Sequence, residues 1–302
     1  MNNLKNTMTI LGAKENVPLA ALTSFHIGGP AAFVVEAKDI QTVDRAVQAC
    51  KDFGWPMAVI GNGSNLLCPD DGFEGVIVKL MKRDFFPEIT DHSFTAFAGD
   101  SLIQISKYTV KQGFKGFERL AGIPGTIGGA IAMNAGAYGS EIISVLKRVH
   151  VLELEGKKEY WINAESGSFG YRKSPFGWPK NIVLEAEFLL EQGDGTEQTV
   201  MEDCLARRKE KQPLEFPSAG SVFKRPTGLF AGQLIEESGL KGFRIGGAEV
   251  SEKHAGFIVN RGGATEKDVL NLIEHIQRTV KDKFNVMLER EILSLKDIVC
   301  TF

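Results

Sequence analysis

The residues with the clearest chemical potential form a glycine-rich run from Ala121 to Gly139. Six of its positions are glycine, and no charged side chain lies between Arg119 and Glu141. Pro124 and the closely spaced glycines interrupt a continuous helix, so the run does not predict a membrane span. Glycines permit positive φ and close approach to the peptide plane, and successive exposed N–H groups form a concavity that suits a phosphate. The run therefore predicts an anion-binding loop or, alternatively, a tightly packed irregular loop without a ligand.

A second candidate loop, Gly61-Asn62-Gly63-Ser64-Asn65, follows the predicted strand 57–60. Two glycines with Asn and Ser at a strand end place backbone amides where a ligand could meet them. The spacing is not G-x-G-x-x-G because residue 66 is leucine, and no capped helix is predicted after it. A Rossmann-type cofactor fold is therefore disfavoured.

Three polar positions could contribute side-chain chemistry. Arg172, beside Lys173, could grip a carboxylate in bidentate fashion, although adjacent cations also suit a solvated surface, and both readings stay open. Ser221 has the ordinary reading of a turn serine, and the absence of a G-x-S-x-G motif disfavours a hydrolase nucleophile. Glu289 and Glu291 lie two residues apart on a predicted strand and so share a face, where one of them could point into a cleft.

The composition excludes several classes of protein. With 302 residues, 43% of them hydrophobic and 24% charged, the chain is typical of a globular protein of one or two domains. A net charge of −3 and a pI near 6.0 give no electrostatic footprint for nucleic acid or an anionic membrane. The amino terminus lacks the apolar segment of a signal peptide, which predicts a cytoplasmic protein. The four cysteines and five histidines are scattered without metal-ligand spacing, so we expect reduced thiols and no metal.

Hydrophobic periodicity predicts the elements that position these residues. Two strands, 33–37 and 57–60, flank a helix capped by Asp39, and such a strand–helix–strand unit favours parallel pairing. Pro213 and Pro217 mark a candidate domain boundary. The other predicted elements are strands over 75–80, 93–98, 149–154, 182–190, 255–260 and 286–295, and helices over 102–112, 196–211, 229–238 and from Thr265 onward.

Four segments together resemble one enzyme family, the UDP-N-acetylenolpyruvoylglucosamine reductases, which are flavoenzymes of bacterial cell-wall precursor synthesis. The segments are 61–65, 121–139, 169–174 and 219–224, and 246–248, Asn260 and 288–292 fit the family pattern as well. Each motif alone is weak, but the ordered set is specific and covers nearly the whole chain.

The resemblance implies an α+β fold with two parts. A two-lobed FAD-binding domain of the PCMH type would take residues 1–205, with lobes at about 1–85 and 86–205. A smaller α/β substrate-binding domain would take residues 206–302.

The resemblance also implies the ligands. Members of the family bind FAD non-covalently, oxidise NADPH, and reduce UDP-N-acetylglucosamine-enolpyruvate to UDP-N-acetylmuramate in peptidoglycan synthesis. The positions that match the FAD-binding loops are Gly61, Asn62, Gly63, Ser64, Asn65, Gly122, Ile123, Pro124, Gly125, Thr126, Gly128, Gly129, Asn134, Gly136, Ala137 and Tyr138.

By motif match, three residues carry the reaction. Arg172 would stabilise the negative charge that hydride addition from flavin N5 drives onto the substrate carboxylate. Ser221 would donate the proton to the adjacent carbon, with Lys224 easing the charge left on the hydroxyl oxygen. Glu291 would polarise or hydrogen-bond the substrate near the reacting carbons, and Glu289 is the competing choice.

The remaining candidates for substrate contact are Lys211, Lys224, Arg225 and His254. Arg225 stands where some family members carry Asn, and a loop histidine without a ligand is the alternative for His254. The interval between Tyr138 and Arg172 leaves no room for the tyrosine-bearing loop that some members fold over the substrate. The chain therefore resembles the shorter subtype of the family.

Two other functions are compatible with these residues. One is another FAD-dependent oxidoreductase of the same fold, acting on a sugar or an alcohol. Many such oxidases hold flavin covalently through a histidine near the first glycine loop, and no histidine lies between His26 and His92. The other is a non-enzymatic module that binds a nucleotide sugar or a flavin. We expect neither nucleic-acid binding nor membrane insertion.

Overall fold

A computed structural model describes residues 2–302, and within that range the side chains of all residues except 2, 3 and 166. The described chain forms three packed regions, each built around its own sheet. Within residues 2–302, no helix combines the length and the apolar character needed to cross a membrane.

The first region is a five-stranded sheet with parallel strands at its centre. Its elements are α1 (Asn2–Ile10), β1 (Lys14–Pro18), β2 (Pro30–Ala37), α2 (Ile40–Phe53), β3 (Met57–Ile60), β4 (Leu66–Leu67) and β5 (Phe73–Leu80). The predicted strand–helix–strand unit is confirmed, since Asp39 accepts the Thr42 N–H at 2.7 Å and so caps α2. Its two strands are not neighbours, because β5 lies between β2 and β3 and pairs in parallel with both.

The second region is a four-stranded antiparallel sheet in the order β11-β10-β12-β6. Its elements are β6 (Ser93–Phe97), α3 (Leu102–Lys111), β7 (Phe114–Lys115), α4 (Ile127–Ala132), β8 (Gly136–Ala137), β9 (Ser140–Glu141), β10 (Leu146–Glu153), β11 (Lys158–Asn163), β12 (Asn181–Leu189), β13 (Glu191–Gln192) and α5 (Glu197–Lys211). One hydrophobic core joins this region to the first, because buried residues of α2, β5, β6 and β12 pack in a single cluster.

The glycine-rich run is more regular than its composition predicts. It contains the short helix α4, which begins where the Thr126 side chain accepts the N–H of Gly129 at 3.4 Å. The N–H groups of Ile127 and Gly128 donate to the carbonyls of Asp100 and Ala98, so the segment after β6 holds the first turn of α4. Pro124 and the glycines therefore prevent helix formation only before residue 127, where α4 begins.

The third region is a smaller antiparallel sheet in the order β14-β17-β16-β15. Its elements are β14 (Ser218–Ser221), α6 (Ala231–Glu237), β15 (Arg244–Ile245), β16 (Ala248–Val250), β17 (Phe257–Asn260) and α7 (Glu266–Phe284), and the chain ends with β18 (Leu293–Ser294) and β19 (Val299–Cys300). The predicted start of α7 at Thr265 is confirmed, and Thr265 and Asp268 form a capping box there.

The predicted strand over 286–295 is wrong for most of its length. Residues 289–291 run beside residues 222–224 through two backbone hydrogen bonds, from Lys224 N to Glu289 O at 2.9 Å and from Glu291 N to Val222 O at 2.7 Å. Only the single bridge between Phe223 and Arg290 forms there, which is too little pairing for a strand.

The last residues return to the first region. Strand β18 pairs with β4, and β19 pairs with β3, while Leu295 and Ile298 enter the core beneath them. Within the expected unit 206–302, residues 293–300 thus pack on the first region.

Candidate active site

One open cavity of about 940 Å³ lies where the second region meets the third. Its walls include Arg172, Ser221 and Glu291, which come from three distant parts of the chain. The structure therefore brings the three predicted catalytic side chains to one cavity.

Arg172 reaches the cavity from a tight turn. Gly170 and Lys173 exchange two backbone hydrogen bonds, of 3.0 and 2.9 Å, and Arg172 sits between them at φ 54°. A left-handed conformation is unfavourable for an arginine, so the surrounding contacts must hold it. The guanidinium donates from Nε to Glu291 Oε1 at 2.6 Å and from Nη2 to Gly136 O at 3.3 Å.

Ser221 lies at the end of β14, one residue before the stretch that pairs with Glu291. It is half-buried, and within residues 2–302 its hydroxyl makes no hydrogen bond. The O–H is therefore free to donate into the cavity.

The structure separates the two glutamates that were expected to share a face. Glu291 lines the cavity with a side chain 11% exposed, whereas the Glu289 side chain is 71% exposed and pairs with Lys224. The irregular backbone at 289–291 removes the strand alternation on which the shared face depended. Lys224 is turned to Glu289 and does not line the cavity, so the structure gives no support to its contact with Ser221 or with a substrate.

The other three candidates for substrate contact do line the cavity. Lys211 is the last residue of α5. Arg225 lies four residues after β14, and its guanidinium carbon is 5.1 Å from the centre of the Phe230 ring. His254 accepts the Gly256 N–H on Nδ1 at 3.0 Å, which leaves Nε2 to carry the proton. Burial lowers the pKa of His254, so the ring is held neutral.

Sequence reasoning missed several lining residues, among them Phe230 and Lys253. Phe230 precedes α6 and stays 55% exposed at the wall of the cavity. Phe230 lies within the predicted helix 229–238, where no sequence signal set it apart, whereas Lys253 could have been found as the neighbour of the candidate His254.

A two-residue turn presents Tyr138 to the cavity. Strands β8 and β9 are joined by Tyr138 at φ 52° and Gly139 at φ 82°, and positive φ at both central residues defines a type I′ hairpin. Burial raises the pKa of the Tyr138 hydroxyl. This side chain is therefore held as a neutral phenol, with Arg208 of α5 among its neighbours.

The two glycine loops face each other behind this cavity. Asn62 Nδ2 donates to Pro124 O at 2.9 Å, and a Cβ built on Gly61 would lie 2.2 Å from Thr126 Oγ1. In the described chain, the backbone N–H groups of residues 62–65 have no protein acceptor. We call the two loops the glycine cradle. Its free backbone N–H groups could bind the diphosphate of a dinucleotide cofactor such as FAD, and the close approach at Gly61 leaves no room for a side chain there.

A direct contact joins this cradle to the cavity, because Asn65 Nδ2 donates to Glu291 O at 3.4 Å. Asn134, also predicted to contact the cofactor, is fully buried and donates from Nδ2 to Glu141 Oε2 at 2.8 Å and to Gly170 O at 3.0 Å. Across residues 2–302, no three His, Cys, Asp or Glu side chains are grouped so that they could hold a metal ion.

Comparison with known proteins agrees with this arrangement. Residues 31–158 match an FAD binding domain family, and residues 212–295 match the C-terminal domain of UDP-N-acetylenolpyruvoylglucosamine reductase. The α+β fold with an FAD-binding domain, predicted from the resemblance, is confirmed.

Full-length relatives extend the likeness over the whole chain. The UDP-N-acetylenolpyruvoylglucosamine reductase of Clostridioides difficile is 45% identical over 96% of this chain and 95% of its own length, and that of Limosilactobacillus fermentum is 47% identical over 97% of both. The crystal structure of the enzyme from Thermus caldophilus superposes with a TM-score of 0.80 at 34% identity, covering 93% of this chain and 99% of that one. The chain belongs to the UDP-N-acetylenolpyruvoylglucosamine reductase family of FAD-binding oxidoreductases.

Proposed function

We propose that this protein reduces the enolpyruvyl ether of UDP-N-acetylglucosamine-enolpyruvate to UDP-N-acetylmuramate, with NADPH as reductant. The observation that supports the proposal is that Arg172, Ser221 and Glu291 line one cavity directly beside the glycine cradle. Both substrates are soluble nucleotides, so we place the reaction in the cytoplasm.

Bound FAD would supply the transfer of a hydride from NADPH to the substrate double bond. Gly61, Asn62, Gly63, Ser64 and Asn65 would hold its diphosphate through their free N–H groups. The loop that carries Gly122, Ile123, Pro124, Gly125 and Thr126 would close the opposite side, with the rest of the glycine-rich run supporting it.

Arg172 would stabilise the charge that accumulates on the substrate. Hydride addition to the distal vinylic carbon drives electron density toward the carboxylate, so a guanidinium beside that group favours the transition state over the ground state. Two of its N–H donors are used by Glu291 and Gly136. The remaining donors leave a fork for the carboxylate.

Ser221 would donate the proton to the carbon next to the carboxylate. A serine hydroxyl is a weak acid, but a carbanion is a strong base, and this hydroxyl is not engaged elsewhere in the described chain. Glu291 would fix the direction of the Arg172 side chain and hydrogen-bond the substrate near the reacting carbons. Its ion pair with Arg172 keeps both groups oriented before the substrate enters.

The far end of the cavity would hold the nucleotide diphosphate. Lys211, Arg225 and Lys253 provide cationic donors there, and neutral His254 has an N–H at Nε2. Arg225 would give this chain a cationic contact at the position where some relatives carry Asn.

The proposed domains follow the packing. Residues 1–205 would bind FAD as two lobes, divided near residue 85, and the substrate domain would begin at residue 206. Residues 293–302 would belong structurally to the first lobe.

The proposal is tested with Ser221→Ala. Flavin reduction by NADPH should stay within about twofold of wild type, while reoxidation of the flavin by the enolpyruvyl substrate should slow by about 10²–10⁴-fold, the usual contribution of a general acid. Stopped-flow absorbance under anaerobic conditions separates the two half-reactions. Ser218→Ala, on the same strand but outside the cavity, is the matched control and should keep both rates. Unchanged reoxidation in Ser221→Ala would exclude Ser221 as the proton donor.

A further inference from the structure

The turn that carries Arg172, residues 170–173, has few backbone hydrogen bonds to the rest of the protein. Among the described residues, one hydrogen bond joins its backbone, Gly170 to Lys173, to the rest of the protein, namely that from Asn134 Nδ2 to Gly170 O at 3.0 Å. Tyr171 within the turn is 47% exposed, and Arg172 has an unfavourable positive φ. The backbone of the turn therefore depends on one buried amide for its attachment, while the guanidinium at its tip is held by Glu291 and Gly136.

Asn134 is held much more firmly than the turn. It is 0% exposed, and its backbone N–H donates to Ile131 O at the end of α4. Its own φ is 41°, a left-handed conformation that asparagine tolerates better than most residues. It therefore offers a fixed reference point in the core of the second region.

The side-chain amide of Asn134 donates two hydrogen bonds, one to Glu141 and one to Gly170. Glu141 Oε2 and Gly170 O are both acceptors, so the orientation of the amide is determined by its surroundings. Aspartate would offer no donor, and serine would offer one. Among the described residues the Oδ1 atom is buried without a hydrogen-bond partner, an arrangement that packing alone does not favour.

We infer that Asn134 is a positioning residue that sets the location of the Arg172 guanidinium by linking the Gly170–Lys173 turn to the hairpin of β8 and β9. The hairpin end of the link is Glu141, and the same hairpin supplies Gly136 O, which accepts from Arg172 Nη2. The inference rests on the proposed function only for its catalytic consequence, since the link itself is a structural property.

The test uses Asn134→Gly, which removes the side chain and keeps the positive φ accessible. Trypsin cleaves after Arg172 and Lys173, so release of the turn should raise the rate of cleavage there by about tenfold, the equilibrium effect of losing one hydrogen bond. Cleavage sites are identified by mass spectrometry of the holoenzyme. Asn285→Gly is the matched control, because Asn285 has φ 56° at the exposed end of α7 and lies outside the cavity.

The catalytic consequence is read in a double-mutant cycle. Asn134→Gly should lower kcat/KM by about 10–100-fold, as expected for a displaced catalytic group, yet change it by less than about twofold when Arg172 is already alanine. Additive losses, or wild-type cleavage at the turn in Asn134→Gly, would overturn the inference. If trypsin cleaves the turn faster in Asn134→Gly but the wild-type protein has no reductase activity, the link from Asn134 to the turn is supported and the proposed function is refuted. If Asn134→Gly does not fold, Asn134→Ala gives the same test, because it also removes both donors without adding a charge beside Glu141.

Discussion

At the level of single residues, hydrogen bonds orient the polar side chains of the cavity. The Arg172 and Glu291 side chains are 20% and 11% exposed and are joined by a hydrogen-bonded ion pair, so each offsets the cost of burying the other. Neutral His254 carries its proton on Nε2 because Nδ1 accepts a backbone N–H. Each of these side chains therefore has a defined orientation before a substrate binds.

His254 also predicts a pH dependence of stability. Burial holds its pKa below the ordinary value, so as the pH falls through about 6.5 the unfolded chain takes up a proton before the folded protein does. This contribution to stability is complete above the unfolded pKa and is lost progressively at lower pH. The urea midpoint of the wild type should fall between about pH 7.5 and about pH 5.5, and the fall should be smaller in His254→Gln.

His92→Gln is the control for this measurement, because His92 is exposed and lies outside the cavity. It should show the same fall as the wild type. An identical fall in His254→Gln would contradict the assignment of this pH dependence to the buried ring.

At the scale of elements, the close approach of the two glycine loops should control cofactor binding. Gly61→Ala would place a Cβ 2.2 Å from Thr126 Oγ1 and 2.8 Å from its Cγ2, and Thr126 is buried and cannot move aside. Overpacking of this kind costs about 1–3 kcal/mol, so FAD affinity should fall by about tenfold or more. Fluorescence titration of the apoprotein with FAD measures the effect.

Gly167→Ala provides the comparison, since a Cβ there would meet nothing within 4 Å. Its FAD affinity should equal that of the wild type. Equal affinity in Gly61→Ala would show that the cradle does not hold the cofactor.

The sequence predicted those elements whose ends are set by nearby residues, such as capped helices. The caps at Asp39 and Thr265 fixed the starts of α2 and α7, and both helices form as predicted. The strand over 286–295 failed because its pairing depends on residues 222–224, which are distant in sequence. The same non-local pairing separated Glu289 from Glu291 and drew Lys224 away from the cavity. The buried role of Asn134 likewise depends on the partners Glu141 and Gly170, which the glycine-rich motif alone does not reveal.

At the scale of the whole molecule, the third region is tied to the first at several points. Asp70 accepts the Glu266 N–H at 2.7 Å at the start of α7, and Asn260 Nδ2 donates to Phe25 O at 3.1 Å. The returning segment 293–300 adds Leu295 and Ile298 to the core beneath the first sheet. The third region and the glycine cradle are therefore joined through contacts with the first region.

This coupling predicts that a residue near the carboxyl terminus stabilises the cofactor site. Leu295 is 1% exposed and packs in the cluster that contains Ile60 and Leu66, which flank the first glycine loop. Leu295→Ala should lower the free energy of unfolding by about 2–5 kcal/mol and reduce the FAD retained on purification. Met287→Ala, at a side chain 63% exposed, should change neither quantity. Full FAD retention in a destabilised Leu295→Ala protein would contradict the coupling.

We propose that the glycine cradle presents a flavin to the cavity, and that the cavity accepts the carboxylate of an enolpyruvyl substrate. The most direct test is an anaerobic titration of the purified holoenzyme, followed through the visible absorbance of its flavin. NADPH should bleach the flavin, and UDP-N-acetylglucosamine-enolpyruvate should then restore the colour with one UDP-N-acetylmuramate formed per flavin. A protein that binds no flavin, or a bleached flavin whose colour does not return with this substrate, would contradict the account.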